Sequence, residues 1–238
     1  MIVPETSATG DASPVIAVTG MAFEARIARG EGVDVVFAAR ADLLERALRA
    51  ALVRGCSGIV SFGTAGGLAP DLEAGTLIVA DAVDGPFGRV ATDAAWTERL
   101  AAALNATPLG ARLRRGTLAA VTAPLTSAHD KQALHRKTGA LAVDMESHIA
   151  GSIAAAHGLP FAVCRAIVDP AWRTLPPAAT AGLRDDGHTA IGPILRELVR
   201  QPSQLGSLIQ LATDARAARQ SLVQARRTLG AAGALRAV

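Results

Sequence analysis

Tyrosine is absent from this 238-residue sequence, and aromatic residues make up only 3% of it. Half of the residues are hydrophobic, so a core must be assembled from Ala, Val, Leu and Ile. Those side chains suit a sheet covered by alanine-rich helices better than an all-β sandwich. Cysteine is scarce as well: Cys56 and Cys164 stand in apolar runs outside any C-x-x-C pattern. That excludes a disulfide framework and reads as two buried free thiols in a reducing cytoplasm. The formal net charge of +3 is too small a surplus to specify nucleic acid as a partner. No run approaches the ~18 consecutive apolar residues of a membrane span. The five histidines show no pair at metal-ligand spacing, so neither a metal nor another cofactor is expected.

What is present alternates. Short β-branched runs at Val15–Thr19, Val33–Phe37, Gly58–Phe62, Thr76–Val83, Thr117–Thr122, Leu141–Val143 and Phe161–Val168 read as strands. Between them, Asp42–Arg54, Trp96–Leu104, His129–Lys137 and Ile149–His157 read as helices, the last closing at Gly158. From Pro193 the chain reads as helical, with a break near Pro202 and a long basic helix over about 203–230. Residues 1–13 are polar and read as a flexible tail without the basic start and apolar centre of a signal peptide. Residues 14–238 then form one domain. The pattern predicts an α/β fold with three α/β/α layers around a central mixed, mostly parallel sheet.

Ligands of such sheets bind outside the carboxyl ends of the strands. Glu24, Thr64, the loop 122–130, Glu146 and Asp169 all fall at such ends. The run Gly63-Thr64-Ala65-Gly66-Gly67 reads as a loop whose backbone can approach a sugar or an oxyanion, or as a tight turn with no ligand. Asp169 follows an apolar strand and precedes Pro170, so its carboxyl leaves an apolar wall with its charged form disfavoured, as a general acid requires. It could instead cap a turn or pair with Arg165 or Arg173. Glu146 opens a helix, where the dipole alone would favour it. Glu24 sits in a helical turn beside Arg26, and a solvated ion pair is its alternative.

Several segments together resemble one family. Gly63-Thr64-Ala65-Gly66-Gly67-Leu68, Val143-Asp144-Met145-Glu146-Ser147 and Arg165-Ala166-Ile167-Val168-Asp169 are similar to the G-S/T-A-G-G-L, V-E/D-M-E and R-x-I-S-D segments of the nucleoside phosphorylase and methylthioadenosine/adenosylhomocysteine nucleosidase superfamily. Gly20-Met21-Ala22-Phe23-Glu24 resembles the G-x-M-x-x-E opening of the nucleosidase branch. Within the superfamily the sequence looks most like the hopanoid-associated phosphorylases, through Phe23–Ala28, Ala142–His148, Asp169–Pro177 and the arginine-rich C-terminal helix. The resemblance implies release of adenine from adenosylhopane. It assigns Asp169 to protonate purine N7, Glu24 to the attacking group, Glu146 to the ribose hydroxyls and Met145 to the underside of the sugar. Thr64, Ala65, Gly66 and Arg165 would line the substrate, and Thr64 would also touch phosphate; apart from the resemblance, Arg26 and Arg40 are the candidate arginines to hold phosphate beside Glu24. Relatives are commonly dimers or hexamers, so the resemblance also implies a homo-oligomer.

The sequence departs from the family at three places. Val168 replaces the serine that usually precedes the acid, Ala38-Ala39-Arg40-Ala41 replaces a glycine turn, and the loop 122–130 has no aromatic to stack on a purine. Phe62, Phe161 or Trp172 would have to serve instead. On whole-chain likeness the nucleophile is expected to be inorganic phosphate; the margin over water is small, since Glu24 would repel a phosphate anion unless an arginine compensated. A lipid-linked substrate would suit a C-terminal helix resting against the inner face of a membrane. Two rival readings remain: a nucleosidase for small thio-nucleosides, and a degenerate member that binds a nucleoside without cleaving it.

Overall fold

The computed structural model describes residues 13–237. The tail expected over 1–13 therefore lies outside the described residues, apart from Ser13. Eight strands form one sheet: β1 (Val15–Thr19), β2 (Val33–Phe37), β3 (Gly58–Gly67), β4 (Leu77–Gly85), β5 (Gly88–Ala91), β6 (Leu113–Ala120), β7 (Ala142–Asp144) and β8 (Phe161–Asp169). Eight α-helices accompany them: α1 (Ala22–Ala28), α2 (Ala41–Leu52), α3 (Ala94–Asn105), α4 (Ala128–Thr138), α5 (Ser147–Ala156), α6 (Pro177–Ala181), α7 (Ile191–Arg200) and α8 (Leu205–Ala231).

The strand order is β2-β1-β3-β7-β6-β4-β5, and β8 pairs with both β3 and β4. Pairs β1–β2, β1–β3, β3–β8, β4–β6 and β6–β7 are parallel, whereas β3–β7, β4–β5 and β4–β8 are antiparallel. The expected α/β fold with a mixed, mostly parallel sheet is thus present. It has a closure that periodicity does not reveal: β3, β8, β4, β6 and β7 pair in a ring. A strand inside such a ring has no free edge, and its backbone groups are satisfied on both sides.

Both faces of the sheet are covered. On one, Leu44 and Leu48 of α2 and Ile149 and Ile153 of α5 pack with Ile59, Val163 and Ile167. On the other, Trp96, Leu100 and Leu104 of α3 and Leu222 and Leu229 of α8 pack with Phe62, Ala162 and Cys164. Alternate residues of β8 serve opposite cores, so its near-continuous apolar run follows from burial on both faces. The C-terminal half of α8 is therefore a core helix, with Ala218, Ser221, Leu222, Ala225 and Leu229 buried. Its N-terminal part instead exposes the apolar residues Leu205 and Ile209.

The glycine run 63–67 is the main departure at the level of elements. It is the extended end of β3, hydrogen-bonded to β8 through Gly66 and to β7 through Gly66 and Gly67. Flanking strands take up its backbone groups, so the glycines do not break the strand there.

Candidate active site

The ends of β3, β7 and β8 enclose a cavity of about 160 Å³. Thr64, Ala65 and Gly66 come from β3, Met145 and Glu146 follow β7, and Asp169 ends β8. Gly66 is opposite Val143 on one side and Asp169 on the other. A Cβ there would lie 3.3 Å from Val143 Cγ1 and 3.4 Å from Asp169 Oδ2, so glycine allows the two strand ends to converge. Val121, Pro124, Leu125 and Leu175 complete an aliphatic wall.

Behind Thr64 lies a buried charge cluster. The Arg165 guanidinium is fully buried, with Nη2 2.8 Å from Asp144 Oδ2 and 3.2 Å from Glu146 Oε2. It also donates to Ser61 Oγ at 2.6 Å and to the Thr64 carbonyl at 3.2 Å. Asp144 accepts from the backbone N–H and the hydroxyl of Ser147, capping the first turn of α5. Burial raises the Glu146 carboxyl to about 7 against the pull of Arg165, with Asp144 and Glu24 adding to the rise. Glu24 is also buried, and four donors converge on its carboxylate. They are the backbone N–H groups of Gly20 (3.0 Å), Met21 (3.0 Å) and Thr64 (2.8 Å), and the Thr64 hydroxyl (2.6 Å).

At the other end of the cavity Asp169 is 6% exposed, and Lys131 of α4 is not exposed at all. The Lys131 ammonium bonds Asp169 Oδ2 and donates to the carbonyls of Pro170 (3.2 Å) and Arg173 (2.9 Å). Burial lifts the Asp169 carboxyl to about 6, although Lys131 pulls the other way. A neutral carboxyl is therefore accessible near neutral pH at one end of the cavity. A second titrating carboxylate faces the other end.

Of the residues singled out from sequence, Thr64, Ala65, Gly66, Met145, Glu146 and Asp169 line this cavity. Arg165 and Glu24 lie one layer behind it, so Glu24 reaches the cavity through Thr64 and is no solvated partner of Arg26. The two arginines proposed for phosphate are elsewhere. Arg26 donates to the Ala22 carbonyl at 3.3 Å and lines a separate cavity. Arg40 is held by Asp42 and Asp185 at the start of α2. Asp169 pairs with neither Arg165 nor Arg173; Arg173 is bound to Asp214. Phe62 and Phe161 are core residues and Trp172 is 45% exposed, so none of the three lines the cavity. Lys131, Asp144 and Ser61 join the site without being candidates on sequence grounds. Asp144 belongs to the Val143–Ser147 segment, but Lys131 belongs to the polar helix α4 and nothing in its spacing marks it. No group of three or more His, Cys, Asp or Glu side chains among the described residues is placed to hold a metal ion.

The sequence profile of the phosphorylase superfamily matches residues 10–186. No curated protein matches the chain in sequence. Among solved structures, a Helicobacter pylori 5′-methylthioadenosine/S-adenosylhomocysteine nucleosidase bound to butyl-thio-DADMe-Immucillin-A is 15% identical, with a TM-score of 0.65 over 93% of this chain and 98% of that one. Futalosine hydrolase of the same organism is also 15% identical, with a TM-score of 0.65 over 93% and 97%. A Neisseria meningitidis methylthioadenosine/adenosylhomocysteine nucleosidase in complex with methylthio-immucillin-A is 14% identical, with a TM-score of 0.62 over 90% and 97%.

Proposed function

Since the chain belongs to the phosphorylase superfamily, we propose that it cleaves the N-glycosidic bond of a purine nucleoside, with Asp169 as proton donor to the departing base. The observation that carries this reading is the buried Asp169 carboxyl, lifted to about 6, facing Glu146 and Met145 across a largely aliphatic cavity. Breaking the C1′–N9 bond leaves positive charge on the ribose and negative charge on the base. The Asp169 proton goes to purine N7 as the bonding pair leaves with the base. Glu146 accepts the ribose hydroxyls and offsets the charge on the sugar, and Met145 packs beneath it.

We assign water as the nucleophile, in place of the phosphate expected from sequence. Arg26 and Arg40 are engaged away from the cavity, and Arg165 and Lys131 are already bound to carboxylates. A phosphate set beside Glu146 would meet a repulsion of ~4 kcal/mol per unit charge pair at 4 Å and an effective dielectric of 20. The water oxygen bonds C1′. Its proton moves to Thr64 Oγ1 while the Thr64 proton moves to Glu24, along the 2.6 Å bond between them. Ala65 and Gly66 flank the sugar, and Arg165 holds Glu146 in place.

Adenosylhopane is the candidate substrate. The aliphatic wall of Val121, Pro124, Leu125 and Leu175 suits a hydrocarbon 5′-substituent. The exposed apolar residues Ile191, Leu195 and Val199 of α7 suit contact with the lipid phase that carries it. Small thio-nucleosides, named in the nucleosidase structures, are the second substrate class, favoured by the likeness of fold. The proposal extends to a homo-oligomer, supported by Phe87, which is 68% exposed. No helix among the described residues is long and apolar enough to cross a membrane.

The test is a product assay. Adenosylhopane, methylthioadenosine and adenosine are incubated with and without phosphate, and both base and sugar products are identified. Expected are adenine and a free ribosyl product at a rate independent of phosphate, with Asp169→Asn slower by roughly 10²–10⁴-fold. Release that requires phosphate would restore phosphorolysis. Binding of nucleosides without any cleavage would leave only the non-enzymatic reading.

A further inference from the structure

A second cavity opens on the far side of α1, between that helix and the C-terminal half of α8. It shares no lining residue with the active-site cavity. Arg26, Arg29, Arg219, Arg226 and Arg227 contribute to its walls, together with the apolar Phe23, Ile27 and Val223. No aspartate or glutamate lines it. Among the described residues none of the five arginines is in an ion pair, whereas ten of the other seventeen take a carboxylate within 4 Å.

Two of the five are fixed by the backbone. Arg226 Nε donates to the Ala28 carbonyl at 2.8 Å, and Arg26 Nε to the Ala22 carbonyl at 3.3 Å. Each keeps its remaining guanidinium N–H groups for another acceptor. Arg226 also runs against Gly30, where a Cβ would overlap its Nη2. Burial pulls the Arg226 guanidinium below its ordinary value, so this cation has lost water without gaining an anion.

Five like charges held around one concavity repel one another, and an anion there would remove that repulsion. Guanidinium forks match the geometry of phosphate oxygens, to which each can donate two parallel N–H bonds. From these observations we infer that the cavity between α1 and α8 is a binding site for a phosphate-bearing anion, separate from the nucleoside site. The apolar wall of Phe23, Ile27 and Val223 suits a phosphate carried on an organic group. Arg26, expected from sequence to hold a phosphate co-substrate, thereby acquires an anion-binding role at a different place. Glu24 and Arg26 share α1, so occupancy would steady the helix that carries Glu24.

The shared chemistry, a phosphate group, could come from a soluble metabolite or a phospholipid headgroup, and two arms separate them. Inorganic pyrophosphate is titrated by calorimetry and thermal shift at low salt, and phosphatidylglycerol vesicles are tested by co-sedimentation beside phosphatidylcholine vesicles. The variant combines Arg219→Ala with Arg227→Ala, both exposed and outside the catalytic machinery. The control combines Arg112→Ala with Arg136→Ala, an equal loss of charge elsewhere. Pyrophosphate binding that weakens at least tenfold in the variant and not in the control supports a soluble ligand. Phosphatidylglycerol-dependent sedimentation lost in the same way supports a headgroup. Absence of binding in both arms, or binding equal in variant and control, overturns the site. Nucleoside cleavage by the variant stays at the parental rate, so the outcome is independent of the proposed reaction.

Discussion

Lys131 and Asp169 set the protonation chemistry of the cavity between them. Burial raises the Asp169 carboxyl to about 6, and Lys131 opposes that rise while fixing Oδ2. In the proposed reaction Asp169 must be neutral to donate, and that fraction shrinks as pH climbs above about 6. Glu146 must be ionised to accept ribose hydroxyls, and that fraction shrinks as pH falls below about 7, so turnover rests on the minor form that meets both conditions. A bell with its apex between the two values is expected. The limbs belong to interacting groups and are macroscopic. Replacing Lys131 by Met removes the lowering partner, so the alkaline limb moves to higher pH while kcat drops. A pH-rate profile of Lys131→Met with its limb unmoved and only its melting temperature reduced would show that Lys131 is merely structural. No pattern in the sequence points to this lysine. It stands in the polar helix α4, and its partners are 38 and more residues away in the chain, at the end of β8.

Elements were more legible than their joins. β1, β2 and β8 stand out in the sequence because burial on one or both faces leaves β-branched and aliphatic runs, interrupted by Asp34 in β2 and Arg165 in β8. α2 stands out because Leu44, Leu48 and Ala51 repeat at helical spacing and are its buried residues. The glycines of β3 misled because glycine disfavours an isolated strand, whereas pairing with β7 and β8 supplies what side chains do not. The closure β3-β8-β4-β6-β7 is a property of long-range register and has no local signal. Gly63 shows why the run is glycine-rich. Its φ is 155°, and a Cβ would lie 2.8 Å from both Arg165 Nη1 and Glu24 Oε2. Those two side chains are buried and held by several bonds, so an alanine must displace one of them. Gly63→Ala should lose roughly 1–3 kcal/mol in chemical denaturation, the usual range for overpacking, and most of its activity. Gly206→Ala, in the first turn of α8 with no atom near the added Cβ, should be neutral or stabilising by ~0.4–1 kcal/mol. Equal stabilities for the two variants would mean that Gly63 is not sterically required.

At the scale of the whole molecule, the C-terminal segment has two characters. The latter part of α8 completes the core on one face of the sheet, and Trp96 Nε1 donates to the Ala234 carbonyl at 2.9 Å beyond its end. α7 and the start of α8 lack such cover. Ile191, Leu195 and Val199 recur every fourth residue along α7 and are 68%, 55% and 82% exposed, with Arg196 and Arg200 beside them. Helical residues four apart share one face, so the three form a stripe. Scaled to these exposures, taking each out of water would contribute ~1–2.5 kcal/mol, the scale of a weak, reversible contact with a lipid surface. The lipid-linked substrate proposed above would give such an attachment a purpose. Leu195→Ser combined with Val199→Ser should reduce co-sedimentation with phosphatidylcholine vesicles at high salt, where the arginines contribute little. The same variant should turn over vesicle-borne adenosylhopane more slowly and water-soluble nucleosides at the parental rate. Equal losses on both substrates would trace the defect to folding, and no loss on either would remove α7 from substrate capture.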